Sequence, residues 1–219
     1  MAKVYIYVVA RDFGFAPNPF HGTCTLATCK ADLRSTAQVG DWVIGMGGVR
    51  LKATGRCVFA MKVTATATYD EYWENPAYRA KRPSRNGSRK TAVGDNIYHR
   101  ASETDPWLQE DSHHSQPDGS QDDYNTRSDT KTNKVLLSQH FLYFGRAAVE
   151  LPAELLEAAG YENGRGHRVF ERDECDLLVA WLSKEFRDDF NMIIGDPFDF
   201  DRSSARYSYR TDKVTLSSI

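Results

Sequence analysis

GDWVIGMGG, residues 40–48, and GRCVFAMKVTATA, residues 55–67, decide how this chain is read. The first opens on a Gly-Asp turn, runs through a β-branched and aromatic strand, and leaves through glycines. The second is another strand, with Val58, Ala60, Lys62 and Thr64 on one face. Two strands joined by a short turn, with no helical period between them, put a sheet at the centre. Upstream, VYIYVV (4–9) is apolar at nearly every position, as a strand covered on both faces requires. FGFAPNPFHG (13–22) follows. Its prolines and glycines suit no regular element, so it is a loop of fixed shape leaving a central strand, where ligand contacts often collect. CTLATC (24–29) reads as a short strand and KADLRSTA (30–37) as one or two helical turns.

Downstream, YDEYWEN (69–75) is a short amphipathic turn stopped by Pro76. VLLSQHFLYFGRAAV (135–149) gives a strand or two, with Phe141, Tyr143 and Phe144 at a turn. PAELLEAA (152–159) is a helix with proline at its start and Gly160 as its stop. Residues 171–190 form the clearest long helix, with Leu177, Leu178, Trp181, Leu182 and Phe186 as its apolar stripe and Trp181 in the core. The polar stretch 201–219, with alternating Tyr207 and Tyr209, reads as a loosely held edge. These features predict an α+β fold over residues 1–200, with a mixed β-barrel or sheet core, short helices and a C-terminal helix, followed by a polar tail.

Between about residues 78 and 132 lies a long polar insertion. Arg79, Lys81, Arg82, Arg85, Arg89, Lys90 and Arg100 form a basic run, and Glu103, Asp105, Glu110, Asp111, Asp118, Asp122, Asp123 and Asp129 an acidic one. The plain reading is a solvated loop whose charges pair with each other; the sharper one is a basic arm for phosphates beside a reactive segment. That segment is GDNIYHRASETDPWLQEDSHHS (94–115), rich in Asp, His and Asn and almost free of aliphatic residues. It cannot order itself by burying apolar surface, so the fold or a ligand must hold it.

With 41% hydrophobic and 26% charged residues and a net charge of −2, the chain has an ordinary globular profile, which excludes a global electrostatic grip on nucleic acid. Arg11 and Asp12 interrupt the first apolar stretch, so neither a signal peptide nor a membrane contact is expected, and the location expected is cytoplasmic. Cys24, Cys29, Cys57 and Cys175 suit a reducing compartment, each read first as a small buried apolar residue. A nucleophilic Cys24 or Cys29 would need a base, and only His21 is close in sequence. GMGGV (45–49) does not continue as a dinucleotide fingerprint, and no HExxH or CxxC pair occurs. His113 and His114 are adjacent and would point apart on regular structure. No cofactor is spelled out; a divalent metal ion, held by Asp95, His99, Asp111 and His113 or His114, is the one this donor set suggests.

RDFGFAPNPFHGTCTLATCK (11–30), VGDWVIGMGG (39–48), VGDNIYHR (93–100), WLQEDSHHS (107–115) and VLLSQHFLYFG (135–145) together resemble the second family of nucleotide-modification-associated domains. Those are bacterial and phage proteins tied by gene neighbourhood to DNA-base hypermodification or to phage–host conflict. The resemblance runs to about residue 190 and implies Asp12, Asn18, Cys24, Cys29, Lys30, Asp95, Asn96, His99, Ser112, His113 and His114 as positions to suspect. GDWVIGMGG followed by GRCVFAMKVTATATYDEYWENPAY is also similar to PUA-like domains of the EVE and ASCH type. That likeness implies barrel strands and a pocket for a flipped or modified base, walled by Trp42, Tyr98, Trp107, Tyr143 and Phe144.

The reading favoured is an enzyme acting on a base, nucleotide or nucleic acid. Asp12, Asp95, His99, His113 and His114 would be its acid/base or metal-ligand groups. Asn18, Cys24, Lys30, Trp42, Asn96, Tyr98, Trp107, Ser112 and Tyr143 would contact the substrate, in a pocket between the 12–30 loop and the 94–115 segment. The alternatives are a non-catalytic reader of modified bases and a metal-dependent nuclease or hydrolase of phage–host conflict. The partners expected are a nucleotide or nucleic acid, other DNA-modification proteins, and a second copy of the chain paired through the VLLSQHFLYFG edge.

Overall fold

A computed structural model describes residues 2–164 and 166–216. The first half comprises β1 (Lys3–Val9), β2 (Cys24–Leu26), α1 (Ala31–Thr36), β3 (Trp42–Gly47), β4 (Arg56–Lys62), β5 (Ala65–Ala67), α2 (Tyr69–Glu74) and α3 (Arg89–Ala92). The two-residue strands β6 (Tyr98–His99) and β7 (Leu108–Gln109) and helix α4 (Asp123–Asp129) complete the 78–132 region. Then come β8 (Val135–Ser138), β9 (Phe141–Tyr143), β10 (Val149–Glu150), α5 (Ala153–Ala158), β11 (His167–Glu171), α6 (Asp176–Glu185), β12 (Met192–Ile193), β13 (Arg206–Ser208) and β14 (Lys213–Thr215).

The central sheet runs β11-β1-β3-β4-β9-β12, with β10 also on β4. It is mixed: β1 pairs parallel with β3 and β12 parallel with β9, and the other pairs are antiparallel. Strands β11 and β12 are opposite edges, so the sheet is open and the expected barrel is absent. The VYIYVV reading holds: Val4, Tyr5, Ile6 and Tyr7 are all buried in the interior of the sheet. One face packs Tyr7, Val43, Phe59 and Tyr143, and the other packs Ile6, Ile44, Leu142 and α6. Gly45 is needed for that packing, because a Cβ there would lie 2.1 Å from the Phe59 ring. The GMGG glycines thus serve sheet packing.

Helix α6 is shorter than 171–190, since β11 and a 3-10 turn over Arg172–Cys175 take the first residues. Its buried face is Leu178, Val179 and Leu182; Leu177 is 67% exposed, one residue round the helix from Leu178 and therefore facing away. The stretch from 135 forms two strands in different sheets, β8 beside β2 and β5 and β9 beside β4 and β12, with Phe141 and Tyr143 inside β9 and buried, not at a turn.

The 78–132 insertion is woven into the core. Lys81 is buried, its Nζ donating to Asn18 Oδ1 at 2.7 Å and Thr25 Oγ1 at 3.1 Å, and Thr25 donates to Asp95 Oδ2 at 2.6 Å. Tyr72 donates to the other Asp95 oxygen at 2.8 Å. Burial raises the Asp95 pKa and lowers that of Lys81, each countered by the other's charge. This knot ties 81–96 to the second, smaller sheet β2-β8-β5. The basic and acidic runs do pair at places, Arg85 with Asp111 at 2.5 Å, but Arg100 reaches Asp70 outside the insertion.

The stretch after 201 is more than a loose edge. Strands β13 and β14 form a hairpin whose Tyr207 N–H donates to His113 O at 2.7 Å. Asn125 clamps it, donating to Tyr207 O at 2.6 Å and accepting from Tyr209 N–H at 2.9 Å.

Candidate functional site

Cys29 sits just past β2, at the C-terminal side of the turn into α1. Both Cys29 (φ 58°) and Lys30 (φ 45°) adopt the left-handed backbone conformation, which residues with a Cβ take only when their surroundings hold them there. The holder is Arg34, fully buried, on the first turn and a half of α1. Its guanidinium donates to three backbone carbonyls: Cys29 at 2.8 Å, Asp129 at 2.6 Å and Lys134 at 2.5 Å. A rigid planar fork is suited to bracing carbonyls that come from distant parts of the chain.

The result is a line of three reactive groups. Cys29 Sγ lies 3.8 Å from His114 Nε2, and His114 Nδ1 lies 2.7 Å from Asp129 Oδ2. Burial disfavours a charge on His114, but the Asp129 carboxylate and the Cys29 sulfur outweigh it and raise its pKa to about 10. His114 is therefore an imidazolium at neutral pH, with Nδ1–H donated to Asp129 and Nε2–H facing the sulfur. Asp129 is itself buried, which alone would raise its pKa, yet His114 holds it below the ordinary carboxylate range. Four donors saturate it: Cys29 N–H at 2.7 Å and Tyr209 OH at 3.2 Å on one oxygen, His114 and Tyr98 OH at 2.8 Å on the other. Asp129 ends α4, where a helix disfavours negative charge, so these donors are what keep it in place.

His113 plays the opposite part. Its Nδ1–H donates to Ala205 O at 2.6 Å, and burial, followed by the neighbouring His114 charge, pushes its pKa down to about 3. It is a neutral ring packed on Phe13 (4.3 Å between centroids) and Phe15 (5.1 Å).

Cys29, His113 and His114 line a pocket of about 290 Å³, together with Tyr7, Val8, Val9, Ala10, Arg11, Phe13, Phe15, Ala16, Lys30, Tyr207 and Tyr209. The strand β1 and the loop after it form one wall and the C-terminal hairpin another. Tyr7 OH is buried here with no hydrogen-bond partner, and Lys30 Nζ sits 4.4 Å above the Tyr7 ring.

Of the residues picked out from the sequence, Cys29, Lys30, His113 and His114 line this pocket, and Tyr98 and Ser112 stand behind it. Ser112 Oγ accepts His114 N–H at 3.3 Å. The others are elsewhere. Asp12 is buried beside Tyr143, whose OH it accepts at 2.5 Å, and burial raises its pKa to about 6 against that bond. Asp95 and Asn18 belong to the Lys81 knot. Asn96 donates to Tyr72 O at 2.9 Å. Cys24 contacts Met61 in the core, its thiol pushed up to about 12 by burial. Trp42 packs on His140 and Phe190 across the sheet, and Trp107 on Tyr69 and Arg100. His99 stacks on Trp73 and pairs with Glu110 at 2.8 Å. Asp95, His99, Asp111 and the paired histidines are thus held by separate partners, and among the described residues no three His, Cys, Asp or Glu side chains are grouped as a metal ion needs.

The sequence reading missed Asp129, Arg34, Tyr7 and Tyr209. Asp129 had been absorbed into an acidic run, and the base for Cys29 was sought nearby at His21, whereas His114 lies 85 residues away. No local pattern marks such a pairing.

Among the described residues no helix is long and apolar enough to cross a membrane. No curated protein matches the chain, and no solved structure does. The profile described as nucleotide modification associated domain 2 matches residues 1–204, which includes Cys29, His114 and Asp129 and stops short of Tyr207 and Tyr209. The chain therefore belongs to the nucleotide modification associated domain 2 family, whose members are associated with nucleotide modification.

Proposed function

We propose that the protein is an enzyme that works by covalent catalysis on a nucleobase or a group carried by one, with Cys29 as nucleophile, His114 as proton donor and acceptor, and Asp129 as the carboxylate that orients the ring. The observation that carries this reading is the Cys29–His114–Asp129 line opening into a pocket of about 290 Å³. The family supplies the substrate class. In the step envisaged, Cys29 sulfur bonds to a carbonyl or amidine carbon while the bond to the leaving group breaks and His114 Nε2–H gives that group its proton. Water then attacks the adduct, His114 takes the water's proton back, and the sulfur is released.

A second reading, a reader of modified bases without chemistry, draws on the ring-rich wall of Tyr7, Phe13, Phe15, Tyr207 and Tyr209. Iodoacetamide labelling followed by mass spectrometry separates the two. Cys24, Cys57 and Cys175 are buried and serve as internal controls. Cys29 is expected to react first, and His114→Ala or Asp129→Asn to slow it by roughly tenfold or more. Incubation with nucleotide pools should then leave a covalent mass on wild type and none on Cys29→Ala. A Cys29 as inert as the buried thiols, or one indifferent to His114, would leave the reader as the better account.

A further inference from the structure

Lys30 lies where two cavities meet. The triad pocket shares Val8, Ala10 and Lys30 with a second, more open cavity of about 510 Å³, whose far side is formed by Gly48, Val49, Asn163, Gly164 and Gly166. Neither lining contains an Asp or Glu, whereas Arg11, Lys30 and the protonated His114 all face the first cavity. The cation Arg11 is already engaged, paired with Asp212 at 2.9 Å. Among the described residues Lys30 has no ion pair; its ammonium rests on the Tyr7 ring, mostly out of water. A largely buried ammonium that lacks a carboxylate is unfavourable on its own and gains most from an anion brought by a ligand. Burial also lowers the Lys30 pKa, against the Cys29 sulfur, which raises it.

The sizes fit one arrangement. About 290 Å³ falls at the bottom of the usual range of roughly 300–1,000 Å³ for small-molecule sites, with room for one base against the aromatic wall. Past Val8, Ala10 and Lys30 the space continues into the glycine-lined cavity, which offers the rest of a larger ligand a place beside the ammonium. Its lining of glycine backbone, Val49 and the Asn163 amide carries no carboxylate to repel a phosphate.

We infer that Lys30 and the adjoining glycine-lined cavity form a phosphate subsite, so that the substrate is a phosphorylated nucleotide unit whose base enters the triad pocket. This rests on the reading of that pocket as a nucleotide site. The phosphate could belong to a free nucleotide or to a strand of nucleic acid, and the two are told apart by what binds.

The test is a binding titration on Cys29→Ala protein, which cannot turn over, using the four deoxynucleosides, their 5′-monophosphates and short single-stranded oligonucleotides. At least one monophosphate or oligonucleotide is expected to bind about tenfold or more tightly than its nucleoside, as one charge-assisted contact provides. Lys30→Met should erase that preference, read as the ratio of phosphorylated to nucleoside affinity, and Lys30→Arg should restore it. Preference for the monophosphate identifies a free nucleotide and preference for the oligonucleotide a strand; either supports the subsite. Equal binding of nucleoside and phosphorylated forms, no binding of any of them, or a preference that survives Lys30→Met overturns it. Because these proteins lack the Cys29 thiol, the outcome is independent of whether Cys29 is a nucleophile, which labelling of wild type decides.

Discussion

The Asp129 carboxylate accepts the backbone N–H of Cys29 at 2.7 Å, although the two residues are 100 positions apart in the chain. Its other oxygen holds the His114 ring. One buried carboxylate thus fixes both the loop that carries the sulfur and the imidazole that faces it.

Replacing that carboxylate by an amide keeps the shape and turns one acceptor into a donor. Asp129→Asn is expected to set an N–H against an N–H or O–H and to remove the charge opposite His114. A loss of roughly 2–3 kcal/mol in stability should follow, read from the urea midpoint at constant slope. A variant as stable as wild type would show that the four-donor arrangement is not under strain of that kind.

Arg34 is the mechanical centre of the same region. Arg34→Met strips hydrogen bonds from three carbonyls at once and is expected to cost about 3 kcal/mol or more. Arg34→Lys should recover only part of this, since an ammonium cannot span the fork. In both variants Cys29 labelling should lose its lead over the buried cysteines, because the left-handed pair Cys29–Lys30 is no longer braced. Preserved labelling selectivity in Arg34→Met would show that the turn holds itself.

The two adjacent histidines predict opposite pH slopes. His114 has a pKa of about 10 against an ordinary 6.5, so the folded protein keeps a proton that the unfolded chain has lost. Its contribution is complete below about pH 6.5 and drains away as pH rises toward 10, by up to about 1.4 kcal/mol per pH unit. His113, with a pKa of about 3, contributes fully above pH 6.5 and loses its contribution as pH falls toward 3. Urea midpoints should fall between pH 7 and pH 9 in wild type and flatten in His114→Gln. An unchanged alkaline slope in that variant would refute the imidazolium assignment.

Lys81 and Asp95 form the other buried ionic centre, away from the pocket. Lys81→Met strips the ammonium from Asn18 and from the Thr25 hydroxyl that links it to Asp95, and is expected to cost about 2–3 kcal/mol; the double variant Lys81→Met/Asp95→Asn should regain part of the loss. Cys29 labelling in the folded fraction should match wild type in both. Altered Cys29 reactivity would instead tie this knot to the site.

The sheet was legible because its strands write their burial into the sequence. VYIYVV and WVIGMG are apolar on both sides of the strand, and interior strands need that. Openness of the sheet was not legible, since closure depends on whether β11 meets β12, two short segments at its far edges. The HHS segment was recognised as unable to order itself, and it is indeed held by partners from outside: Ala205, Asn125 and Asp129. Which histidine matters could not be read, because neighbours in sequence received opposite charges from different surroundings. Asp95 and Asp129 look alike in the chain, and only the fold sends one to a lysine and the other to a histidine.

Tyr207 and Tyr209 close the pocket from a hairpin that lies past residue 204, where the family match on this chain stops. The same stretch holds what it covers: Tyr209 OH donates to Asp129, and the Ala205 carbonyl accepts His113 Nδ1–H. The hairpin is thus a strap across the pocket, fastened to the very residues it covers, so a change in its sequence reaches the pocket floor as well as the pocket mouth.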